Sequence, residues 1–477
     1  MSLAELNRVI TSKGYAIKKS FLNEIQTQKL RSELLMTPKV LDSYQTDNIS
    51  FPIYYESKTR YYVPRQWGIK QFGKPDTDII LEGLDLPNSV IFGNKTPHEY
   101  QETVIQNFIK KGCNGIICVP CGWGKTFAAL NIALRIRKRF LIVVDKEFLM
   151  NQWKSEISNF IEGARVGILQ ANKVECDAEK YDVTICMIQT LCKREFPDGF
   201  FDQYGFTIFD ECHHLGASYF SKALKIIQTK YMLGLSATPD RPDGLEKVFE
   251  YFLGDYVYKQ TQRAPDKEAV VKAVWFTSDA NEYTNTPTNW KGEVVSATLL
   301  NQIAAYEPRN EKILSIIDEY VKDKNRNLLV ISERISQLEW LESKMKESNR
   351  GYNYGYYIGG MKQTKLDDNA EKCQILLATY QMVSEAFSVK KLNTIILCTP
   401  RKRVEQSTGR IFRERIDERK VAPHIIDIID SHDCYMRRWN VRRTFYKDCQ
   451  YTIEYIDKPK KVTQKIEANQ HGSLFKF

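Results

Sequence analysis

The chain has 477 residues, 43% of them hydrophobic and 27% charged, with a formal net charge of +10 and a pI near 8.8. This is the composition of a globular protein long enough for two or three domains, and no stretch approaches the roughly 18 apolar residues of a membrane span. The positive excess suggests a polyanionic partner without identifying one, because a merely basic soluble enzyme would carry it too.

The N-terminus, MSLAELNRVITSKGYAIKKS, lacks the apolar core of a secretory signal. An intracellular, reducing location is expected, and the 11 cysteines, irregularly spaced, are read as buried free thiols. Residues 1–95 are expected to form a small N-terminal accessory domain. Its segment 51–75, FPIYYESKTRYYVPRQWGIKQFGKP, interleaves Tyr and Trp with Lys and Arg. That mixture suits base stacking beside phosphate contacts, and equally a β-rich module whose aromatics form its own core.

From 96 to 258, apolar runs alternate with amphipathic stretches. The strand candidates are GIICV (115–119), FLIVVD (140–145), RVGIL (165–169), DVTICM (182–187), FTIFD (206–210) and MLGLSAT (232–238). Strands that are apolar on both faces, separated by helices such as FAALNIALRIRKR, predict a parallel sheet covered on both sides. Residues 259–306 turn irregular and polar (TSDANEYTNTPTNWKGE) and are expected to be a linker or insertion. The alternation returns over 307–457 with NLLVIS, YYIGG, QILLAT, NTIILC and HIIDIID, and 458–477 reads as a polar tail. The expected fold is therefore α/β, with two tandem parallel-sheet domains behind the accessory domain.

The nonapeptide CVPCGWGKT, 118–126, can be read in two ways. Cys118 and Cys121 have the spacing of a zinc knuckle or redox pair, but a structural zinc needs two more ligands and no second C-x-x-C exists. Gly122 to Thr126 have the spacing of a phosphate-binding loop between a strand and a helix. In that reading Pro120, Cys121, Gly122, Trp123 and Gly124 wrap the phosphates, Lys125 reaches the β- and γ-phosphates, and Thr126 takes a Mg²⁺ position. Val119 stands where the strict pattern has Gly.

IFDECHH ends a strand with Asp210 and Glu211. Asp210 would hold Mg²⁺ through water and Glu211 would orient or deprotonate the attacking water. Ser236 and Thr238, in GLSATPDRPDG, are placed at a strand end to sense those carboxylates. In QSTGRIFR, Gln406, Arg410 and Arg413 are spaced i, i+4, i+7, which predicts one helix face whose arginines neutralise transition-state charge. YMRRWNVRRTFYK sets Arg437, Arg438, Arg442, Arg443 and Lys447 around Trp439, Phe445 and Tyr446. It is either a phosphate-binding strip or a helix docked by its aromatics.

GWGKT, DECH, SAT and QxxGRxxR, in this order over roughly 96–450, resemble the superfamily 2 helicases and translocases. The resemblance implies two RecA-like domains, ATP and Mg²⁺ as cofactors, and nucleic acid as partner. It implies that Tyr100 and Gln101 meet the adenine, and that His213 links the nucleotide and nucleic-acid sites. Lys146, Gln152, Gln189, Thr190 and Thr379 would contact nucleic acid, and Glu385 would lie near the domain cleft. GLSATPDRPDG further resembles the xeroderma pigmentosum group B-like branch, with Arg241–Pro242–Asp243 at its Arg-Glu-Asp element. EPRNEKIL and TPRKRVEQSTGRIFR resemble helicases of large cytoplasmic DNA viruses, including poxviruses and African swine fever virus. Two departures stand out: Pro242 replaces a Glu, and Ala386–Phe387–Ser388 replace Gly-Leu-Asp.

The implied activity is ATP-dependent movement on DNA, 3′ to 5′, in viral transcription, replication or repair, in the host cytoplasm or virion. The alternatives are an RNA helicase, a double-stranded DNA translocase that releases transcripts without unwinding, and an ATPase switch within a transcription complex.

Overall fold

The computed structural model describes residues 6–38, 50–120, 122–216, 219, 221–237, 243–260, 265–348, 350–386, 389–414, 416 and 419–459, with only the backbone for 384–386. The chain divides into two compact units, Met1–Thr261 and Gln262–Phe477. Among the described residues no helix is long and apolar enough to cross a membrane. The described cysteines are free thiols, and most are buried.

The main sheet of the first unit runs, in spatial order, Lys173–Val174, Val166–Gln170, Val183–Met187, Phe140–Val144, Phe206–Phe209, Tyr231–Ser236, Asn114–Cys118 and Tyr256–Lys259. Its strands are parallel except at the Lys173–Val174 edge. Successive residues of one strand enter different cores: Leu141 and Val143 face one apolar cluster, and Phe140, Ile142 and Val144 the other. Burial on both faces is why these strands read as unbroken apolar runs. The helices Lys125–Ile136 and Glu147–Phe160 contribute Leu130, Ala133 and Trp153 to the second cluster.

The accessory residues are part of this unit. Five short strands form their own sheet, ordered Tyr55–Glu56, Arg60–Val63, Gly14–Lys18, Arg8–Thr11, Thr77–Asp78. Tyr15, Tyr61 and Trp67 are buried in the same cluster as Phe249 and Phe252 of the parallel-sheet layer. The boundary expected at residue 95 is thus not a break in the core. Arg65, 3% exposed, donates to the carbonyls of Thr229 and Lys230 and to Asn114 Oδ1. A buried guanidinium is tolerated only when such acceptors replace water. The aromatics of segment 51–75 divide accordingly: Tyr61 and Trp67 are core, while Tyr55 remains 45% exposed.

The second unit has a sheet whose pairings are all parallel, ordered Tyr354–Tyr357, Ile375–Thr379, Leu328–Ser332, Thr394–Leu397, His424–Asp430, Val270–Phe276 and Thr452–Ile456. This corrects the reading of 259–306 as linker. Val270–Phe276 lies inside the sheet, flanked by two strands from the far end of the chain. Lys272 interrupts its apolar run, and the structure absorbs that charge by laying its Nζ over the Tyr320 ring at 5.1 Å. The helix Ser296–Ala305 then buries Leu299 and Ile303 beside Tyr283.

Candidate functional site

In the first unit the chain leaves strand Asn114–Cys118, and its next sheet strand, Phe140–Val144, lies beyond both Tyr231–Ser236 and Phe206–Phe209. Such a reversal opens a crevice at the carboxyl ends of the strands. Residues 119–120 and 122–124, Asp210–Glu211 and Ser236 all stand at that edge.

The loop is built from backbone freedom. Gly122 and Gly124 have φ of +82° and +96°, and Gly124 caps the helix Lys125–Ile136 without any side-chain cap. A Cβ on Gly124 would meet the tip of the Gln101 side chain, Nε2 at 2.4 Å, and the φ of +96° itself favours glycine at this position. The helix N-terminus with its positive dipole end and the adjoining Lys125 suit a phosphate chain, so the residues fit the nucleotide that the motif implies.

Gln101, expected at the adenine, is buried and braces this loop: its Oε1 accepts from His98 N at 3.0 Å, and its Nε2 donates to Trp123 O at 3.1 Å. Tyr100 is 49% exposed, stacked on His98 and edge-on to Trp123, which leaves a flat aromatic surface beside the loop.

Lys125 Nζ lies 3.5 Å from Glu211 Oε1. Glu211 itself sits at φ +46°, a left-handed conformation uncommon for a glutamate and typical of functional strain. Burial opposes its ionisation, but Lys125, then His213 and His214, outweigh that and hold its carboxyl below the usual range. Asp210 is driven the other way, by burial first and then by the Glu211 charge. The two adjacent carboxylates are thereby separated in character, one ionised and one proton-prone. Trp153 Nε1 fixes Asp210 by donating to Oδ2 at 2.8 Å. His213 Nδ1 lies 3.0 Å from the buried Ser236 Oγ, which joins the acidic turn to the end of the neighbouring strand.

Two contributors were not singled out in the motifs: Trp153, above, and Asp145. Asp145 ends strand Phe140–Val144; its Oδ2 contacts His214 Nδ1 at 2.6 Å and its carbonyl accepts from Gln189 Nε2 at 2.6 Å. The signal available was a carboxylate closing an apolar strand, as in IFDE. Thr190 Oγ1 accepts from Ala171 N at 2.9 Å. Gln189 and Thr190 line a cavity of about 660 Å³ together with Gln170, Asn172, Lys193 and Arg194. Lys146 precedes the helix Glu147–Phe160 as its N-cap, and Gln152 is half-buried within that helix.

In the second unit the single helix face expected for Gln406, Arg410 and Arg413 does not form. The α-helix covers only Glu405–Thr408, a 3₁₀ turn follows over Gly409–Ile411, and Arg413 lies beyond it. The tighter turn at Gly409 rotates Arg410, 7% exposed, away from the α-helical register. Thr379 closes its strand and is half-buried. The arginine-rich segment is the helix Asp433–Asp448, and its aromatics dock: Tyr435, Trp439 and Tyr446 are buried. Arg442 is buried too, gripping Asp427 at 2.7 and 2.9 Å, so it leaves the proposed strip. Arg437 stays exposed, and Arg438 donates to Pro400 O. Cys121, Thr238, Arg241, Pro242, Phe387 and Ser388, and the side chains of Glu385 and Ala386, lie outside the described residues.

A phosphate loop and an acidic strand end on a parallel sheet, followed by a second parallel-sheet unit, define a nucleotide-driven α/β motor. Residues 94–241 match the family described as type III restriction enzyme, res subunit. The chain is 31% identical over 471 residues to L396 of Acanthamoeba polyphaga mimivirus, named as a candidate ATP-dependent RNA helicase, covering 96% of this chain and 88% of that protein. It is 28% identical over 374 residues to QP509L of African swine fever virus, similarly named, covering 70% of this chain and 68% of that one. The solved helicase domain of Pyrococcus furiosus Hef overlaps 73% of this chain and 98% of its own, at 15% identity and a TM-score of 0.47. This chain belongs to the superfamily 2 helicases, as an ATP-driven enzyme resembling the helicases of large DNA viruses.

Proposed function

We propose that the chain hydrolyses ATP with Mg²⁺ at the carboxyl edge of its first sheet and uses turnover to move along DNA, 3′ to 5′, during transcription, replication or repair of a large DNA virus. The observation that carries this reading is Lys125 beside Glu211 at the head of the helix Lys125–Ile136. When bound, ATP supplies the phosphoryl group transferred to water, and Mg²⁺ supplies charge compensation. Lys125 and the loop backbone would bind phosphate oxygens, Thr126 and Asp210 would hold the metal, and Glu211 would orient the water and accept its proton. Tyr100 packs on the base. Gln406, Arg410 and Arg413 serve the same reaction from the second unit.

DNA is held mainly through its phosphates, by Lys193 and Arg194 around Gln189 and Thr190, by Lys146 and Gln152, and in the second unit by Thr379, Arg437 and Arg438. Affinity should therefore fall steeply with salt. His213 and Ser236 relay occupancy between the two sites. The test is ATP hydrolysis measured with single-stranded DNA, duplex DNA and RNA side by side. DNA stimulation supports the reading, and no stimulation by any polymer overturns it. A second reading, an RNA helicase, is favoured by the names of the mimivirus and African swine fever virus relatives. Stimulation by RNA alone would select it.

A further inference from the structure

Trp290 is 88% exposed, the most exposed of the large apolar side chains described. It belongs to the second unit, in the segment between strand Val270–Phe276 and helix Ser296–Ala305. An exposed tryptophan on a loose loop would mean little, but this one sits at the tip of a built turn. Thr288 and Val294 pair as an antiparallel bridge. Asn289 N donates to Glu293 O, Gly292 N donates to Asn289 O, and Val295 N donates to Pro287 O, each at 2.9 Å. The Asn289 carboxamide oxygen accepts from both Lys291 N and Glu293 N, and its nitrogen donates to Glu293 Oε2. Gly292, at φ +77°, closes the turn.

Both flanks of this finger are anchored. On one side Tyr283 is fully buried and donates to Asp430 Oδ1 at 2.9 Å, while Gln302 Nε2 donates to the carbonyls of Tyr283 and Asn285. On the other, Arg334 donates to Asn301 Oδ1 and to Ala297 O, holding the start of the following helix at the carboxyl end of strand Leu328–Ser332. The finger therefore rises from the carboxyl edge of the second sheet, where Arg334 and Arg401 follow neighbouring strands and Lys402 and Arg403 are exposed.

We propose that Trp290 is a stacking platform for a base of single-stranded nucleic acid, with Lys291 and the arginines of that edge meeting the backbone. The proposal rests on the nucleic-acid reading above and names a contact made by the same motor. The surroundings argue against a protein partner. Beside Trp290 the turn carries Asn289, Lys291 and Gly292 and one exposed apolar side chain, Val294 at 37%, which falls short of the contiguous apolar patch that a protein interface core needs. One flat ring in a hydrophilic setting with a lysine beside it is what sequence-tolerant base stacking uses. Lys291 Nζ lies 4.9 Å from the Trp290 ring centroid, so one face of the ring carries the cation and the other is open to a base.

The test uses the full chain, without nucleotide, and oligonucleotides of equal length and charge, either intact or with abasic sites. Single-stranded DNA and RNA of one sequence form the two arms. Wild type should bind the abasic strand about tenfold more weakly than the intact one. In W290A that difference should vanish through weaker binding of the intact strand, and W290F should restore most of it; unchanged melting temperatures would show that both variants fold. W290A binding intact strand as tightly as wild type, or retaining the abasic penalty, overturns the platform and leaves the tip to a protein partner. Wild type binding no oligonucleotide at all would instead overturn the motor reading on which it rests.

Discussion

His214 Nδ1 lies 2.6 Å from Asp145 Oδ2, and the carbonyl of that aspartate accepts from Gln189 Nε2. One residue thus ties the acidic turn of the nucleotide site to the wall of the basic cavity. Burial disfavours a charged His214, but Asp145 and then Glu211 outweigh it and raise the imidazole above its ordinary 6.5. Asp145→Asn weakens this tie and leaves the contact between Lys125 and Glu211 in place. DNA-stimulated ATP turnover should fall about fivefold while unstimulated turnover changes little. Steady-state rates with and without saturating DNA check this; an equal fall in both would place Asp145 in the chemistry instead.

Lys125 and Glu211 should fail differently. Lys125→Ala removes the phosphate contact, so nucleotide binding and hydrolysis are both lost. Glu211→Gln keeps the shape of the side chain and removes its charge, so ATP still binds while hydrolysis falls by about 10²–10³-fold. Binding of a fluorescent ATP analogue, measured beside phosphate release, separates the two.

Arg309 Nε and Nη2 grip both oxygens of Asp430 at 2.7 and 2.8 Å, with both side chains fully buried. Arg309→Met leaves a buried carboxylate without its cation and should cost about 3–5 kcal/mol of stability in the second unit. Arg309→Met with Asp430→Leu removes both charges and should recover most of the loss. Urea unfolding of the single and double variants decides it.

His424 gives the second unit an acid-sensitive point. Its Nδ1 lies 2.8 Å from the Tyr320 hydroxyl and its Nε2 faces Arg326 Nη2, which can only donate, so the neutral ring with the proton on Nδ1 fits. Burial first, then Arg326 and Lys272, lowers its pKa from 6.5 to about 4. The unfolded chain takes the proton at higher pH than the folded one. The contribution of His424 is therefore complete above 6.5 and is lost as pH falls from there through about 4. Denaturant midpoints at several pH values should slope downward in that window, and His424→Gln should flatten the slope.

Some of this was legible in the order of residues. CVPCGWGKT carries its own instructions, because a phosphate loop needs glycines and a lysine at fixed local spacing after a strand, and IFDE likewise announces a strand-end carboxylate pair. The QSTGRIFR helix face was not legible in this way: periodicity assumes a continuous α-helix, and the 3₁₀ turn at Gly409–Ile411 breaks it. The strand Val270–Phe276 was hidden by Lys272 and by the polar stretch that follows it.

The two runs of alternating strand and helix, the nucleotide loop and the acidic pair are written in local residue order, because each depends on neighbours within a few residues. The residues that support them are set by the folded chain. Trp153 meets Asp210 across 57 positions, His214 meets Asp145 across 69, and Arg65 reaches Thr229 across 164. Such pairs form through space once burial leaves a polar group no partner but the one the fold supplies, and no local pattern records them.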